Sequence, residues 1–394
     1  MPFRECSIVS QREEFCRFAR MPDANVRELC RRAGVSPQTG YKWLARYDQA
    51  GSVGLVDRSR RPHCSPERTA LVVEAQVLAV RTAHPAWGGR KIRRILEREG
   101  LASPPSASTI TAILRRHGLL DGPRAGLARD GLRFEHPEPN ELWQMDFKGH
   151  IGLERGRCHP LTVLDDHSRY ALTIGACANE QTGTVKARLQ QLFETYGLPR
   201  RILADNGPPW GTGGGTGLVT QLEVWLMDLD VRLIHGRPYH PQTQGKDERF
   251  HRTLKAEVLD GRRFTDLAQA QAAFDRWRPI YNGVRPHEAL GMETPASRYR
   301  MSPRSLPKAL APPEYEPEAL VRTVCKGGWI GVRGRKFNCP HGLAGRPVAL
   351  RATHIDGVFD LCYRTHVLAQ IDMRQDNSQS VHHVPEHLST LSPV

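Results

Sequence analysis

Apolar positions recur at two different periods along this chain. Over the first third they return every three to four residues, the helical period. Val26, Leu29, Cys30 and Ala33 share one face, Gly34 breaks the run, and Ser36-Pro37 opens another helix with Trp43, Leu44 and Tyr47 on its apolar side. Ser caps a helix and Pro is tolerated in its first turn. Helix, short glycine turn, helix is the helix-turn-helix layout. It turns Gln38, Thr39, Lys42 and Arg46 toward a DNA groove, although a helical hairpin with no DNA role has the same apolar pattern. After a basic linker over 59–66, helices are predicted at Ala70–Thr82, Gly89–Glu99 and Ser108–His117, the last capped by Ser108. Ile92, Ile95 and Leu96 form a stripe opposite Arg90, Lys91, Arg93, Arg94 and Arg98, which reads either as a second DNA-binding face or as a solvated one.

From Glu141 the pattern changes to short apolar runs alternating with helices. Strands are predicted at Leu142–Phe147, Pro160–Leu164, Ala171–Ile174, Arg201–Ala204 and Val231–His235. Helices are predicted at Val185–Tyr196, Gln221–Leu229, from Gly245 to about Leu259, and at about Leu267–Tyr281. That order predicts an α/β layer domain with a mixed sheet. A Pro-rich linker spans 303–317, and short β-prone segments between glycines then predict a small β-barrel. The expected domains are therefore 1–62 and 67–136, both all-α helix-turn-helix units, then an α/β core at 137–302, a barrel at 318–372 and a polar tail at 373–394.

Charge sharpens this picture. The 394 residues carry 56 Lys+Arg, 47 of them Arg, against 42 Asp+Glu, a net +14. Residues 1–139 hold 24 basic and 15 acidic side chains, so the excess lies in the helical third. Arg forks match phosphate oxygens, and this balance favours a polyanionic partner. No run of about 18 apolar residues is present, so no membrane span is expected. No apolar leader opens the chain and the nine Cys are scattered without a CxxC pair, so a cytoplasmic location is expected. The run Gly211–Gly217 fits no nucleotide-binding loop, so no ATP is expected.

Three acids stand out by position. Asp146 lies in a strand beside Trp143 and Phe147, where a lone carboxylate is expensive to bury. Asp205 ends a strand, and Glu248 begins a long helix whose face also carries Arg252 and Lys255, while Phe250, Leu254 and Val258 point elsewhere. Singly, Asp205-Asn-Gly207 reads equally as a turn, Glu248 as a dipole-favoured surface residue, and Asp146 as the partner of an Arg. Together the three are hard oxygen donors of the kind that hold Mg²⁺, and a pair of such ions drives phosphoryl transfer.

Trp143-Gln-Met-Asp-Phe147, Asp205-Asn-Gly207 and His240-Pro-Gln-Thr-Gln-Gly-Lys-Asp-Glu-Arg-Phe-His-Arg-Thr-Leu-Lys255 resemble the three motif blocks of DDE transposases of bacterial insertion sequences, which have a retroviral-integrase-type catalytic core. Leu161–Arg169, Tyr281–Leu290 and Thr294-Pro-Ala296 extend the likeness over most of residues 20–300. The resemblance implies an RNase H-like core with Asp146, Asp205 and Glu248 as catalytic metal ligands for two Mg²⁺, for which Mn²⁺ substitutes. It implies DNA-end contacts by Lys255, with Arg252, Lys246 and Gln242 from the same block. The expected partners are double-stranded DNA, as element ends and target, and at least one further copy of the chain when two ends are paired. A DNA-binding regulator on a decayed core and an RNase H-like nuclease are the alternative functions. The chain departs from the family in four places. Asp205 and Glu248 have 42 residues between them, with the glycine run as the insertion. Asp247 stands where an apolar residue is usual, Gly40 sits inside a recognition helix, and the retroviral His/Cys zinc module is absent.

Overall fold

The computed structural model describes residues 7–58, 68–120, 135–205, 207–210, 219–235, 245–374 and 381–382. The linker at 59–66, the glycine run and Gln242 lie outside the described residues. The chain divides into two compact units, 1–68 and 69–394.

The first unit has three helices, α1 (Ile8–Ala19), α2 (Val26–Arg32) and α3 (Pro37–Ala50), closed by a tight turn at Gly51–Leu55. Ser36 caps α3 as predicted, its hydroxyl accepting the Thr39 N–H at 3.2 Å. Helix α1, absent from the apolar pattern, contributes Cys16 to a small core with Trp43 and Leu55. Val9 and Phe15 pack half-buried against this core, while Ile8 and Phe18 on the same helix stay exposed, which weakens its period. Gly40 proves to be a packing residue: a Cβ there would stand 2.4 Å from Cys30 Sγ and 3.0 Å from the Phe15 ring. Its helix-propensity penalty of about 1 kcal/mol is offset by the close approach of α1 and α2 that it permits.

The second unit begins with α4 (Leu71–Ala83), α5 (Gly89–Arg98) and α6 (Ala107–Arg116). They bury Val77, Trp87, Ile92, Leu96, Ile110 and Leu114 between them. Ser106, not Ser108, caps α6, accepting the Thr109 N–H at 3.1 Å.

A mixed sheet follows, built from β1 (Leu142–Phe147), β3 (Arg157–Asp165), β4 (Ala171–Cys177), β5 (Arg201–Ala204) and β6 (Arg232–His235), with β2 (Ile151–Gly152) pairing the start of β3. The order is β4-β3-β1-β5-β6. Strands β4, β3 and β1 are antiparallel, and β1, β5 and β6 parallel. Helices α7 (Thr182–Tyr196) and α8 (Gln221–Asp228) cover one face through Leu189, Phe193, Leu222 and Leu226 against Trp143, Met145, Leu161 and Val163. Helices α9 (Gly245–Leu254) and α10 (Leu267–Pro279) cover the other through Phe250, Leu254, Phe274 and Trp277 against Ala171 and Ile174. This is the expected layered α/β arrangement. Helix α9 continues into a wide π turn at Lys255–Leu259, which regular helical periodicity does not reveal.

The expected barrel is instead an open sheet. Strands β7 (Leu320–Thr323), β10 (Pro347–Ala352), β11 (Val358–Tyr363), β12 (His366–Asp372) and β13 (Val381–His382) pair in the order β13-β12-β11-β10-β7, and β8 (Trp329–Val332) and β9 (Arg335–Asn338) form a separate hairpin. The apolar face is closed by the hairpin and by Val224 of α8, so the strands need not curl onto themselves. Asp228, at the end of α8, accepts hydrogen bonds from Tyr363 Oη (2.6 Å) and Arg364 Nε (2.9 Å), tying this sheet to the α/β core. The expected tail contains β13, which pairs with Gln370 and Ile371. The Pro-rich segment is not a free spacer: Arg304 donates to the carbonyls of Pro199 (2.8 Å) and Asp230 (2.7 Å).

Candidate active site

Strands β1 and β5 run parallel with Gln144 opposite Leu203. Continued past its last paired residues, this register brings Asp146 level with Asp205, just beyond the end of β5, the usual edge for a site in an open α/β sheet. Asp146 is half-buried, and burial, reinforced by Asp205 and more weakly by Glu180 and Glu248, pushes its carboxyl up to about 7. The carboxylates are thus close enough to repel one another.

Asp146 is held from β3 and α9. The Thr162 hydroxyl donates to the Asp146 carbonyl at 3.0 Å and lies 2.8 Å from His251 Nε2. With its single proton so used, Thr162 accepts from His251, which assigns the imidazole as the Nε2–H tautomer. Its Nδ1 then faces the Asp146 carboxyl at 3.8 Å. Burial, aided by Lys148, pushes His251 down to about 4, so it stays neutral near pH 7.

Asp205 accepts the Gly207 N–H at 3.0 Å on its own Oδ1. Its carbonyl accepts from His235 Nδ1 at 2.6 Å, while His235 Nε2 lies 3.6 Å from Glu223. Burial works against protonation of this histidine, but Glu223 and the Asp205 carbonyl outweigh it and raise its pKa.

On α9 the two adjacent acids part. Asp247 falls with Phe250 and Leu254, as the helix angles require, and is buried. Burial first, then Asp146 and Asp166, raises its pKa well above the carboxylate range, and its Oδ1 has no hydrogen-bond partner among the described residues. Glu248 is exposed, as are Arg252 and Lys255 beyond it. Among the described residues no three His, Cys, Asp or Glu side chains converge into a closed metal-binding group. The donor chemistry nevertheless fits a hard divalent cation: the three acids supply only oxygen, and the burial and the repulsion from Asp205 that raise Asp146 are both offset by such a cation.

Other expected contacts are placed differently. Lys246 does not reach outward; its ammonium is ion-paired with buried Asp166. Against the upward push of burial, His136 and Lys246 hold the Asp166 carboxyl far below its usual range. Asp166 also accepts from the His136 N–H (3.0 Å) and Gln144 Nε2 (2.7 Å), so it joins β1 to the start of α9. Arg90 and Arg94 of α5 line a shallow surface groove, where they also bond Glu288 at 3.2 Å and Glu293 at 2.5 Å. Lys91 is half-buried beside Arg285, Glu288 and Glu257, and burial lowers its pKa. Within the first unit, Gln38 and Lys42 are exposed on α3 and Thr39 is half-buried. Arg46 stacks over the Trp43 ring at 5.0 Å.

Sequence reasoning passed over His251, Thr162, His235 and Asp166. His251 was within reach, since it follows Glu248 by three residues on one helix. Thr162 and His235 carry no local signal, because only strand pairing brings them to the acids.

Models of known families match along the chain. A helix-turn-helix domain matches residues 11–63 and a homeodomain-like domain residues 39–114. Two integrase core domain models match 136–241 and 229–295, and the C-terminal domain of the IS481 family transposases matches 319–379. The chain is 26% identical over 250 residues to the insertion element IS407 uncharacterized 31.7 kDa protein of Burkholderia multivorans, covering 62% of this chain and 86% of that protein. It is 30% identical over 158 residues to the insertion element IS476 uncharacterized 39.2 kDa protein of Xanthomonas euvesicatoria, covering 40% of this chain and 44% of that one. Among solved structures, a simian T-cell lymphotropic virus intasome bound to a PP2A regulatory subunit aligns with a TM-score of 0.37 and 17% identity, over 72% of this chain and 91% of that one.

Proposed function

We propose, for this relative of bacterial insertion-sequence transposases with a retroviral-integrase-type core, that it cleaves the DNA ends of its mobile element to free 3′-OH groups and joins them to target DNA. The observation that carries this reading is that Asp146 and Asp205 lie at the same ends of two adjacent parallel strands, close enough, with Glu248, for their charges to add to the burial that raises the pKa of Asp146.

Asp146, Asp205 and Glu248 would hold divalent metal, Mg²⁺ or Mn²⁺. When bound there, a pair of such ions supplies the Lewis acidity that activates an attacking oxygen and stabilises a leaving one at phosphorus. The chain's own residues prepare the site. Thr162 and His251 fix the Asp146 backbone and keep a neutral ring beside its carboxyl. His235 fixes the Asp205 peptide. The Lys246–Asp166 pair anchors the first turn of α9 and so sets where Glu248 stands. Exposed Arg252 on α9 and Lys255 at the start of the π turn that follows it are available to the phosphates of a DNA end. The basic helical third supplies duplex binding, and two ends held together require at least a dimer.

The deciding experiment supplies purified chain, Mg²⁺ and a duplex carrying the element's terminal inverted repeat, then maps nicks and joined products. Metal-dependent cleavage with joining is expected. Binding without cleavage would indicate a regulator on a decayed core, and cleavage without joining a nuclease.

A further inference from the structure

Helix α8 has only eight residues, too few to hold its shape without packing partners. Two layers supply them. Leu222 and Leu226 enter the α/β core beside Trp143 and Met145, whereas Val224 is buried with Val348, Leu350 and Leu361 of the C-terminal sheet. That sheet and its turns also grip the helix at both ends. At its last residue, buried Asp228 accepts from Tyr363 Oη at 2.6 Å and Arg364 Nε at 2.9 Å, with the Arg346 guanidinium at 3.1 Å. At its start, the turn His341–Leu343 approaches so closely that a Cβ on Gly342 would stand 2.7 Å from the Val219 carbonyl oxygen and 3.0 Å from that of Thr220.

Between these two grips the helix carries Glu223. One of its carboxylate oxygens accepts the Thr220 N–H at 2.7 Å, and the other stands 3.6 Å from His235 Nε2. His235 Nδ1 donates to the Asp205 carbonyl at 2.6 Å. An unbroken line of contacts therefore runs from the C-terminal sheet through α8, Glu223 and His235 to the backbone of Asp205. Each link is short and directional, so a shift of α8 is passed on to the peptide that carries the carboxylate.

We propose that the C-terminal sheet is a positioning element for the candidate active site. It clasps α8 at both ends and so sets Glu223, which holds the His235 ring against the Asp205 peptide. Glu223 is then a positioning residue for Asp205. The proposal rests on the reading of Asp205 as a metal ligand and adds what orients it from behind.

The test uses the full-length chain. Gly342→Ala and Tyr363→Phe loosen the clasp at its two ends without touching an acid of the site, and Glu223→Ala removes the strut. Without metal or DNA, each should speed hydrogen–deuterium exchange of the Gly207 amide, which donates to Asp205 Oδ1 at 3.0 Å, and leave exchange over 142–147 unchanged. In cleavage of the terminal repeat, Glu223→Ala should raise the Mg²⁺ needed for half-maximal rate about tenfold, the usual weight of a partner behind a metal ligand. The two clasp variants should raise it about threefold or more. Glu223→Gln should restore both readouts, because its amide accepts from Thr220 and donates to His235 Nε2. Unaltered Gly207 exchange in Glu223→Ala or in both clasp variants, an unmoved Mg²⁺ requirement, or a Glu223→Gln as impaired as Glu223→Ala overturns the proposal alone. Failure of the unaltered chain to cleave with Mg²⁺ removes the functional reading, and the proposed role in the site with it.

Discussion

Asp247 and Glu248 are neighbours on α9 with opposite environments: Asp247 is 1% exposed and lies among Phe250 and Leu254, whereas Glu248 faces outward. A helix rotates about 100° per residue, so one position decides whether a carboxylate joins the core or the site. Glu248→Gln, Asp146→Asn and Asp205→Asn should each leave repeat binding nearly intact and reduce cleavage by orders of magnitude, because an amide cannot supply the metal's counter-charge. Asp247→Asn should retain cleavage. The reverse pattern, a dead Asp247→Asn with an active Glu248→Gln, would move the third ligand by one residue.

Lys255 and Arg252 follow Glu248 along the helix and stay exposed. Lys255→Ala should lower strand transfer from pre-cleaved ends about ten- to hundredfold, the loss of a charged hydrogen bond worth roughly 1.5–3 kcal/mol. Arg252→Ala should act in the same direction but less. Unfolding temperature should not move for either. Wild-type joining by Lys255→Ala would return that lysine to the solvated surface, where exposed pairs contribute about 0–1 kcal/mol.

Buried His287 meets the edge of Tyr281 with ring centroids 4.6 Å apart. Burial, with Arg285 adding to it, pushes its pKa down to about 3. The unfolded chain therefore takes up this proton first as pH falls. Stability from this site is complete above the ordinary value of 6.5 and declines as pH drops from there toward 3, by up to about 1.4 kcal/mol per pH unit. Denaturant titrations between pH 7 and pH 5 should show that slope. In His287→Gln the slope should be smaller by one proton's worth; an unchanged slope would place the proton uptake elsewhere.

Gly40→Ala reverses the usual sign of a helix glycine replacement. Propensity favours Ala by about 1 kcal/mol, but the new methyl would meet Cys30 Sγ and the Phe15 ring at 2.4 and 3.0 Å. Overpacking of this kind costs roughly 1–3 kcal/mol, so a net loss is expected in thermal unfolding of the first unit. A stabilised variant would show that α1 and α2 retreat without penalty.

The sequence by itself determined what depends on neighbours along the chain. Helical and strand periods, the Ser36 cap, the glycine turn and the inward face of α9 follow from spacing alone, because each residue's direction is set by the local backbone. The three acids were legible through their motif blocks. Only the tertiary structure decided what depends on pairing between distant segments. It brought Thr162 beside Asp146 across β1 and β3, and His235 under Asp205 across β5 and β6. It turned Lys246 onto Asp166, brought Arg90, Arg94 and Arg98 of α5 beside Glu288 and Glu293, and left the C-terminal strands as an open sheet closed by the β8–β9 hairpin and α8. A charge has no period: whether it meets DNA, an acid or the core is set by the surface opposite it, and that surface exists only once the chain has folded.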